Sequence, residues 1–231
     1  MAKQQIGSLA IGTTVRLNIN NSPKEFIIVH QGKPSSIYDE SCNGTWLLMK
    51  DIYENRVWQS GNINKYESSD IHTYLNSTFL NLFDSNIKNA IKQVKIPYRK
   101  NGVDGGTDQS GANGLSAKIF LLSAHEVGWA TSNIQFYPQD GAKLDYFDAR
   151  PGGDSKRIAN FNGSAAKWWL RSPKPGGQSL VWIVDSRGKG TDKNAERSEG
   201  IRPALILPST LVVDENGVIS EKTGNALVKI P

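Results

Sequence analysis

One cysteine, Cys42, stands among the 231 residues. It excludes a disulfide within the chain and any metal site built from several thiolates. Long apolar runs are missing too, and none approaches the roughly 20 residues that a membrane-spanning helix requires. The start, Met1-Ala2-Lys3-Gln4-Gln5, lacks the apolar core of a secretory signal, so export by that route is not expected. Blocks of like charge are also absent, because 27 Lys and Arg are interleaved with 22 Asp and Glu. The net charge of +5 therefore describes a mixed, solvated surface and not the basic stripe of a nucleic-acid footprint. Neither a nucleic-acid partner nor membrane insertion is expected. What is present, 38% hydrophobic residues and 22 glycines, is ordinary globular composition. A single domain over residues 1–231, held by core burial, is the expectation.

Hydrophobic periodicity supplies the elements. Thr13–Ile19 alternates polar and apolar, Asn20-Asn21-Ser22-Pro23 offers turn chemistry, and Phe26–Val29 is β-branched, so a hairpin is expected over 13–30. Thr45–Met49 reads as a further strand. Two helices are expected over about 69–95. In the first, Ile71, Tyr74, Leu75, Phe79, Leu82 and Phe83 share a face behind the N-cap candidates Ser68, Ser69 and Asp70. In the second, capped by Asp84 or Ser85, Ile87, Ala90, Ile91 and Val94 do so, and Pro97 stops the helix at Ile96. Asn101–Gly114 is a glycine-rich loop, Ile119–Leu122 a buried strand, and residues 131–163 are again loop-rich. Strands return as a set over 167–208, with cores at Trp168–Pro173, Leu180–Val184 and Gly200–Leu207, and a terminal hairpin over 210–221 turns at Asn216-Gly217. The expected fold is α+β: two helices packed on a mostly antiparallel sheet, with long ordered loops.

Motifs that carry chemistry are scarce. Gly102, Gly105, Gly106, Gly111 and Gly114 fit neither the Walker nor the dinucleotide-binding spacing, and no Gly-x-Ser-x-Gly elbow occurs. His30, His72 and His125 form no pair with metal-ligand spacing. His125-Glu126 opens like a zinc-protease helix, but Trp129 occupies the place of the second histidine. Cys42 sits behind Asp39 and Glu40, and acidic neighbours raise a thiol's pKa. Asp145, Asp148, Asp154 and Asp185 leave glycoside hydrolysis open without placing two carboxylates across a cleft. No catalytic residue, metal or cofactor is assigned, and a protein other than an enzyme is expected.

The stretch from Trp168 to Leu207 differs from the rest. In Leu180–Val184, alternation puts Leu180, Trp182 and Val184 on one face and Val181 and Ile183 on the other. Either both faces are buried, or Val181 and Ile183 form an exposed apolar contact patch. From Asp185 to Glu199 no apolar residue exceeds alanine, so the segment is expected to stay out of the core. Its composition fits a solvated hairpin loop and, equally, a recognition loop on a rigid scaffold.

Trp168-Trp169-Leu170-Arg171-Ser172-Pro173 followed by Gly200-Ile201-Arg202-Pro203-Ala204-Leu205 resembles the signature of a domain-of-unknown-function family common in gut bacteria and their phages. Asp39–Asp51, Ser69–Phe79, Val94–Tyr98 and Ile119–Ser123 are similar to it as well, so the likeness runs from about residue 7 to 208. Families with such a C-terminal strand set are similar to C-type lectin-like domains of the branch related to formylglycine-generating enzymes. Some of these are the variable proteins of diversity-generating retroelements, in which a reverse transcriptase rewrites adenine-derived codons of a ligand-binding segment. The resemblance implies a C-type lectin-like fold in which Trp168, Trp169, Arg171, Trp182, Arg202 and Pro203 are scaffold. It implies a variable ligand-binding face at Gln178, Ser179, Val181, Ile183, Asp185, Lys189, Asp192, Lys193, Asn194, Glu196, Ser198 and Glu199. With Cys42 alone, the copper-binding cysteine pair of the enzymatic relatives cannot form. The Glu-Pro-Asn and Gln-Pro-Asp tripeptides of calcium-dependent sugar binding are absent.

These expectations combine into a non-catalytic receptor-binding protein, a tail-associated adhesin of a phage or prophage. Its partners would be a host cell-surface protein or glycan and other tail proteins, with weak contacts strengthened by repetition in a homo-oligomer. Its location would be the virion tail, or the cytoplasm before release by lysis. The alternatives are a carbohydrate-active hydrolase using loop carboxylates and a structural tail or assembly module.

Overall fold

Strand-forming runs, many of them apolar and buried on both faces, build two five-stranded sheets in the computed structural model, which describes residues 4–103, 106–129, 137–148, 155–214, 219–223 and 226–229. Their strands are β1 (Thr14–Ile19), β2 (Ser22–Gly32), β3 (Gly44–Met49), β4 (Glu54–Val57), β5 (Ile119–Phe120), β6 (Trp168–Pro173), β7 (Leu180–Val184), β8 (Gly190–Asn194), β9 (Ser198–Ile201) and β10 (Ala204–Leu207). The first sheet is ordered β5-β10-β3-β2-β1 and is antiparallel throughout. The second is ordered β8-β7-β6-β9-β4, antiparallel except where β6 runs parallel to β9. Asn20 and Asn21, both at positive φ, close the β1–β2 hairpin as a two-residue turn, with Ile19 opposite Ser22; asparagine tolerates this left-handed backbone. The turn is thus shorter than Asn20–Pro23, and Pro23 already lies in β2.

The two sheets are tied by one bent ribbon. β3 runs on into β4 while β9 runs on into β10, and the pairs Ile201–Glu54 and Ala204–Leu48 lie on either side of the bend. At the bend, the Met49 amide donates to the Pro203 carbonyl and the Tyr53 amide to the Ile201 carbonyl, each at 2.9 Å. Pro203, which has no amide hydrogen, sits where the strand leaves one sheet for the other. Gly200-Ile201-Arg202-Pro203-Ala204-Leu205 is therefore a crossover between sheets. Four fully buried tryptophans fasten it. Trp46 donates its indole hydrogen to the carbonyls of Gly32 and Cys42, Trp58 to Leu170, Trp168 to Arg157 and Trp169 to Arg56. Each bond satisfies the one polar atom of a side chain whose burial is otherwise apolar.

Two helices on a sheet are not found. Strand residues outnumber helical ones, 38% to 17%, and the expected α+β, C-type lectin-like architecture gives way to a mostly β arrangement of several sheets. α1 (Asp70–Tyr74) is N-capped by Ser69, whose hydroxyl accepts from the His72 amide at 3.2 Å, and continues through a π turn at Leu75–Phe79 and a 3-10 turn to Leu82. Ile71, Leu75 and Phe79 are the fully buried members of its face. α2 (Ser85–Ala90) has only six residues. Beyond it the Lys92 amide bonds the Ile206 carbonyl and Val94–Ile96 pairs with Leu115–Ala117 as a strand. Docking against the sheets overrides the helical periodicity that Val94 extends. Within the glycine-rich stretch, Asp108–Gln109 pairs with Tyr98–Arg99. At the C-terminus, Val212–Val213 pairs with Ile219–Thr223, and the Asn216-Gly217 turn lies outside the described residues.

Candidate functional site

β7 is the centre of the region singled out by sequence, and it is buried on both faces. Val181 and Ile183 are fully buried and Trp182 is 8% exposed. Val181 and Ile183 therefore leave the set of outward-facing residues: β7 is flanked by β6 and β8, and an inner strand covered on both faces is apolar at every position. The β7–β8 turn is built by Asp185, whose Oδ1 accepts from the amides of Arg187 (2.8 Å) and Lys189 (2.9 Å). Gly188, at φ +75°, supplies the left-handed residue that closes it. Burial works against the Asp185 charge, yet these amides and the Arg187 guanidinium hold its carboxyl below the usual range. Asp185 is thus a turn-forming residue, only 8% exposed.

The remaining positions reach solvent. Gln178, Lys189, Glu196 and Ser198 are exposed, and Ser179, Asp192, Lys193, Asn194 and Glu199 are half-buried. The segment is more ordered than a solvated loop. Lys193 lies opposite Val181 and Asp192 opposite Trp182. Asp192 pairs with Lys174 at 2.6 Å, and the Lys174 ammonium stands over the Trp182 ring. Asn194 donates to Ser179 Oγ (3.2 Å) and accepts from the Glu196 amide (2.9 Å). Ala195 enters the core, against expectation: its amide bonds the Ser179 carbonyl, and its own carbonyl accepts from Trp58 and Gln59. Ser198 and Glu199 lie in β9, paired with Val57 and Arg56 and separated from β8 by β6 and β7. They do not join the hairpin group.

Two basic residues that sequence reasoning missed do join it. Lys167 and Arg187 line, with Lys189, Lys193, Asp185 and Thr191, a depression of about 470 Å³. Lys167 precedes β6, whose Trp168 lies opposite Val184, so the antiparallel register carries it beside Asp185. The signal was available only through that pairing.

Behind β6 lies a second cluster. Arg171 donates all five guanidinium hydrogens: Nε to the Pro97 carbonyl, Nη1 to the Leu121 carbonyl and Glu126 Oε2, Nη2 to Glu126 Oε1 and the Asp140 carbonyl, over 2.6–3.0 Å. Arg171 and Glu126 are both fully buried. Glu126 also accepts from Tyr38 Oη and the Ser123 amide. Burial opposes the Arg171 charge, but Glu126 beside it makes the guanidinium hold its proton more firmly than usual. Asp140 accepts from Ser172 Oγ at 2.6 Å, and burial, outweighing Arg171 and Ser172, pushes its carboxyl up to about 7. This network fixes the 121–127 and 138–142 segments to β6, with every Arg171 donor satisfied and Asp140 Oδ1 left as a buried atom without a hydrogen-bond partner among the described residues.

The other sequence candidates are scattered. Cys42 is buried, with Sγ 3.3 Å from the Lys95 carbonyl; burial first, and the Glu126 charge second, push its thiol up to about 12. His72, packed on Tyr66, is pushed down to about 4 by burial. His30 Nδ1 lies 2.8 Å from Asp145 Oδ2, and His125 Nδ1 2.8 Å from the Pro138 carbonyl. Asp148 pairs with Lys156 at 3.7 Å, and Asp154 lies outside the described residues. Among the described residues, no three His, Cys, Asp or Glu side chains converge as a metal site, and no helix is long and apolar enough to cross a membrane.

The chain belongs to the DUF6273 family, a domain of unknown function, which matches residues 43–209. The match takes in both sheets' central strands, the buried Arg171–Glu126 pair and the β7–β8 hairpin. No curated protein and no solved structure matches the chain.

Proposed function

We propose that the protein is a non-catalytic binding module, a tail-associated adhesin of a phage or prophage that holds a host cell-surface protein or glycan on its β7–β8 hairpin. The observation that carries this is the division of residues 178–199. Val181–Val184 and Ala195 are buried, whereas Gln178, Ser179, Lys189, Asp192, Lys193, Asn194 and Glu196 keep polar atoms in or beside solvent on the same hairpin and its flanking turns. A contact surface carried by side chains on a rigid element is preorganised, so little ordering cost attends binding. The adhesin role and the exchange of these residues by a diversity-generating retroelement are supported by the resemblance of the flanking signatures, Trp168–Pro173 and Gly200–Leu205. Val181 and Ile183 are excluded from the exchangeable set because larger or polar side chains there would disrupt the core.

Recombinant full-length protein on an array of host surfaces and glycans, with turnover assayed alongside, tests this proposal. Saturable binding that falls in Asn194→Ala and Glu196→Ala, without product formation, is expected. Product formation, or binding indifferent to both substitutions, would overturn it. A near-copy of the Trp168–Leu207 coding segment, differing at adenines and lying beside a reverse-transcriptase gene, is expected for diversification.

A further inference from the structure

The depression beside the β7–β8 turn gathers basic side chains from three places in the chain: Lys167 ahead of β6, Arg187 and Lys189 in the turn, and Lys193 on β8. Among the described residues, Asp185 is the single carboxylate in its lining, and it is fully engaged. Its Oδ1 takes two backbone amides, and its Oδ2 lies 3.1 Å from Arg187 Nη2. Lys167, Lys189 and Lys193 have no ion-pair partner among the described residues. Three ammonium groups around one depression repel each other, and a bound anion would relieve that repulsion. Protection of an exposed sheet edge by lysine accounts for Lys193 on β8 but not for Lys167 or the turn residues. Among the described residues the lining contains no aromatic ring to stack a base, which disfavours single-stranded nucleic acid. It offers hydroxyls from Ser186 and Thr191 beside the cations, which suits a hydroxyl-rich chain bearing acidic groups.

We infer that this depression is an anion subsite that takes an acidic polysaccharide, a sugar chain carrying carboxylate, sulfate or phosphate groups. The inference rests on the binding role proposed above and names the ligand class for part of that surface.

Titration calorimetry of the full chain at low salt would use heparin (sulfated), polygalacturonate (carboxylated), phosphomannan (phosphorylated), neutral dextran and single-stranded DNA as probes. Saturable binding to at least one acidic polysaccharide and none to dextran is expected, and the preferred probe identifies the acidic group. Lys189→Ala/Lys193→Ala should weaken it by about tenfold or more, and Lys167→Ala should weaken it measurably. Lys24→Ala/Lys88→Ala, which removes equal charge from the first sheet and α2, should leave it within about twofold. The inference is overturned by no saturable binding to any acidic polysaccharide, by equal losses in the two double variants, or by tighter binding of DNA. If host-surface binding still depends on Asn194 and Glu196 while no acidic polysaccharide binds, the anion subsite fails and the binding module stands. If an acidic polysaccharide binds as expected while no arrayed host surface does, the subsite stands and the adhesin role fails.

Discussion

Glu126→Gln would leave the Arg171 guanidinium charged and fully buried without its counter-ion, and removing one partner of such a pair costs about 3–5 kcal/mol. Urea unfolding should register that loss, and a change below about 1 kcal/mol would show that the pair does not carry the contact between β6 and the 121–127 segment. Asp140 and His72 make opposite contributions to pH dependence. The folded Asp140 carboxyl, raised to about 7 from 3.8, binds its proton more tightly than the unfolded one. Its contribution is therefore full below about 4 and lost as pH rises through about 7. The His72 ring, lowered to about 4 from 6.5, contributes above 6.5 and loses that contribution as pH falls towards 4. Asp140→Asn should leave the His72 trend exposed, with the urea midpoint rising from pH 4 to 6.5 more steeply than in the native chain. Parallel profiles would contradict this assignment. Arg171 was legible as scaffold from the Trp168–Pro173 signature. Glu126 and Asp140 were not, because 45 and 31 residues separate them from it and only the folded chain brings them together.

Elements whose pattern and surroundings agreed were readable in advance, as β1 with its alternating Val15, Leu17 and Ile19 shows. The helices were overextended because one-dimensional periodicity does not register where a chain docks. Ile87 and Ile91 lie on a helical stripe, but the backbone has left the helix by Ile91, and Val94 serves a strand pair instead. The hairpin at Asp185–Asn194 was readable as a solvated hairpin loop from its lack of large apolar residues, but not as an ordered strand, since Gly190–Asn194 has no apolar residue and takes its order from β7. Gly200 marks a close approach within the second sheet. A β-carbon there would stand 2.6 Å from the Lys167 carbonyl and 2.7 Å from Ile52 Cγ2. Gly200→Ala should therefore destabilise by about 1–3 kcal/mol, as overpacking does. An unchanged urea midpoint would mean that β6 and β9 are not held this closely.

Across the whole molecule, two sheets share a bent ribbon and four buried tryptophans, and the polar hairpin stands on that framework. The most direct test compares three substitutions in the full chain by urea unfolding and by binding. Trp182, 8% exposed and with its ring centroid 4.7 Å from that of Tyr137 in a tilted contact, should cost about 3–5 kcal/mol as Trp182→Ala. Lys193→Ala and Glu196→Ala should each stay within about 0.5 kcal/mol in stability while weakening binding to the host surface. Equal stability losses in all three, or undiminished binding in the two surface variants, would contradict the division between a fixed core and an exchangeable face.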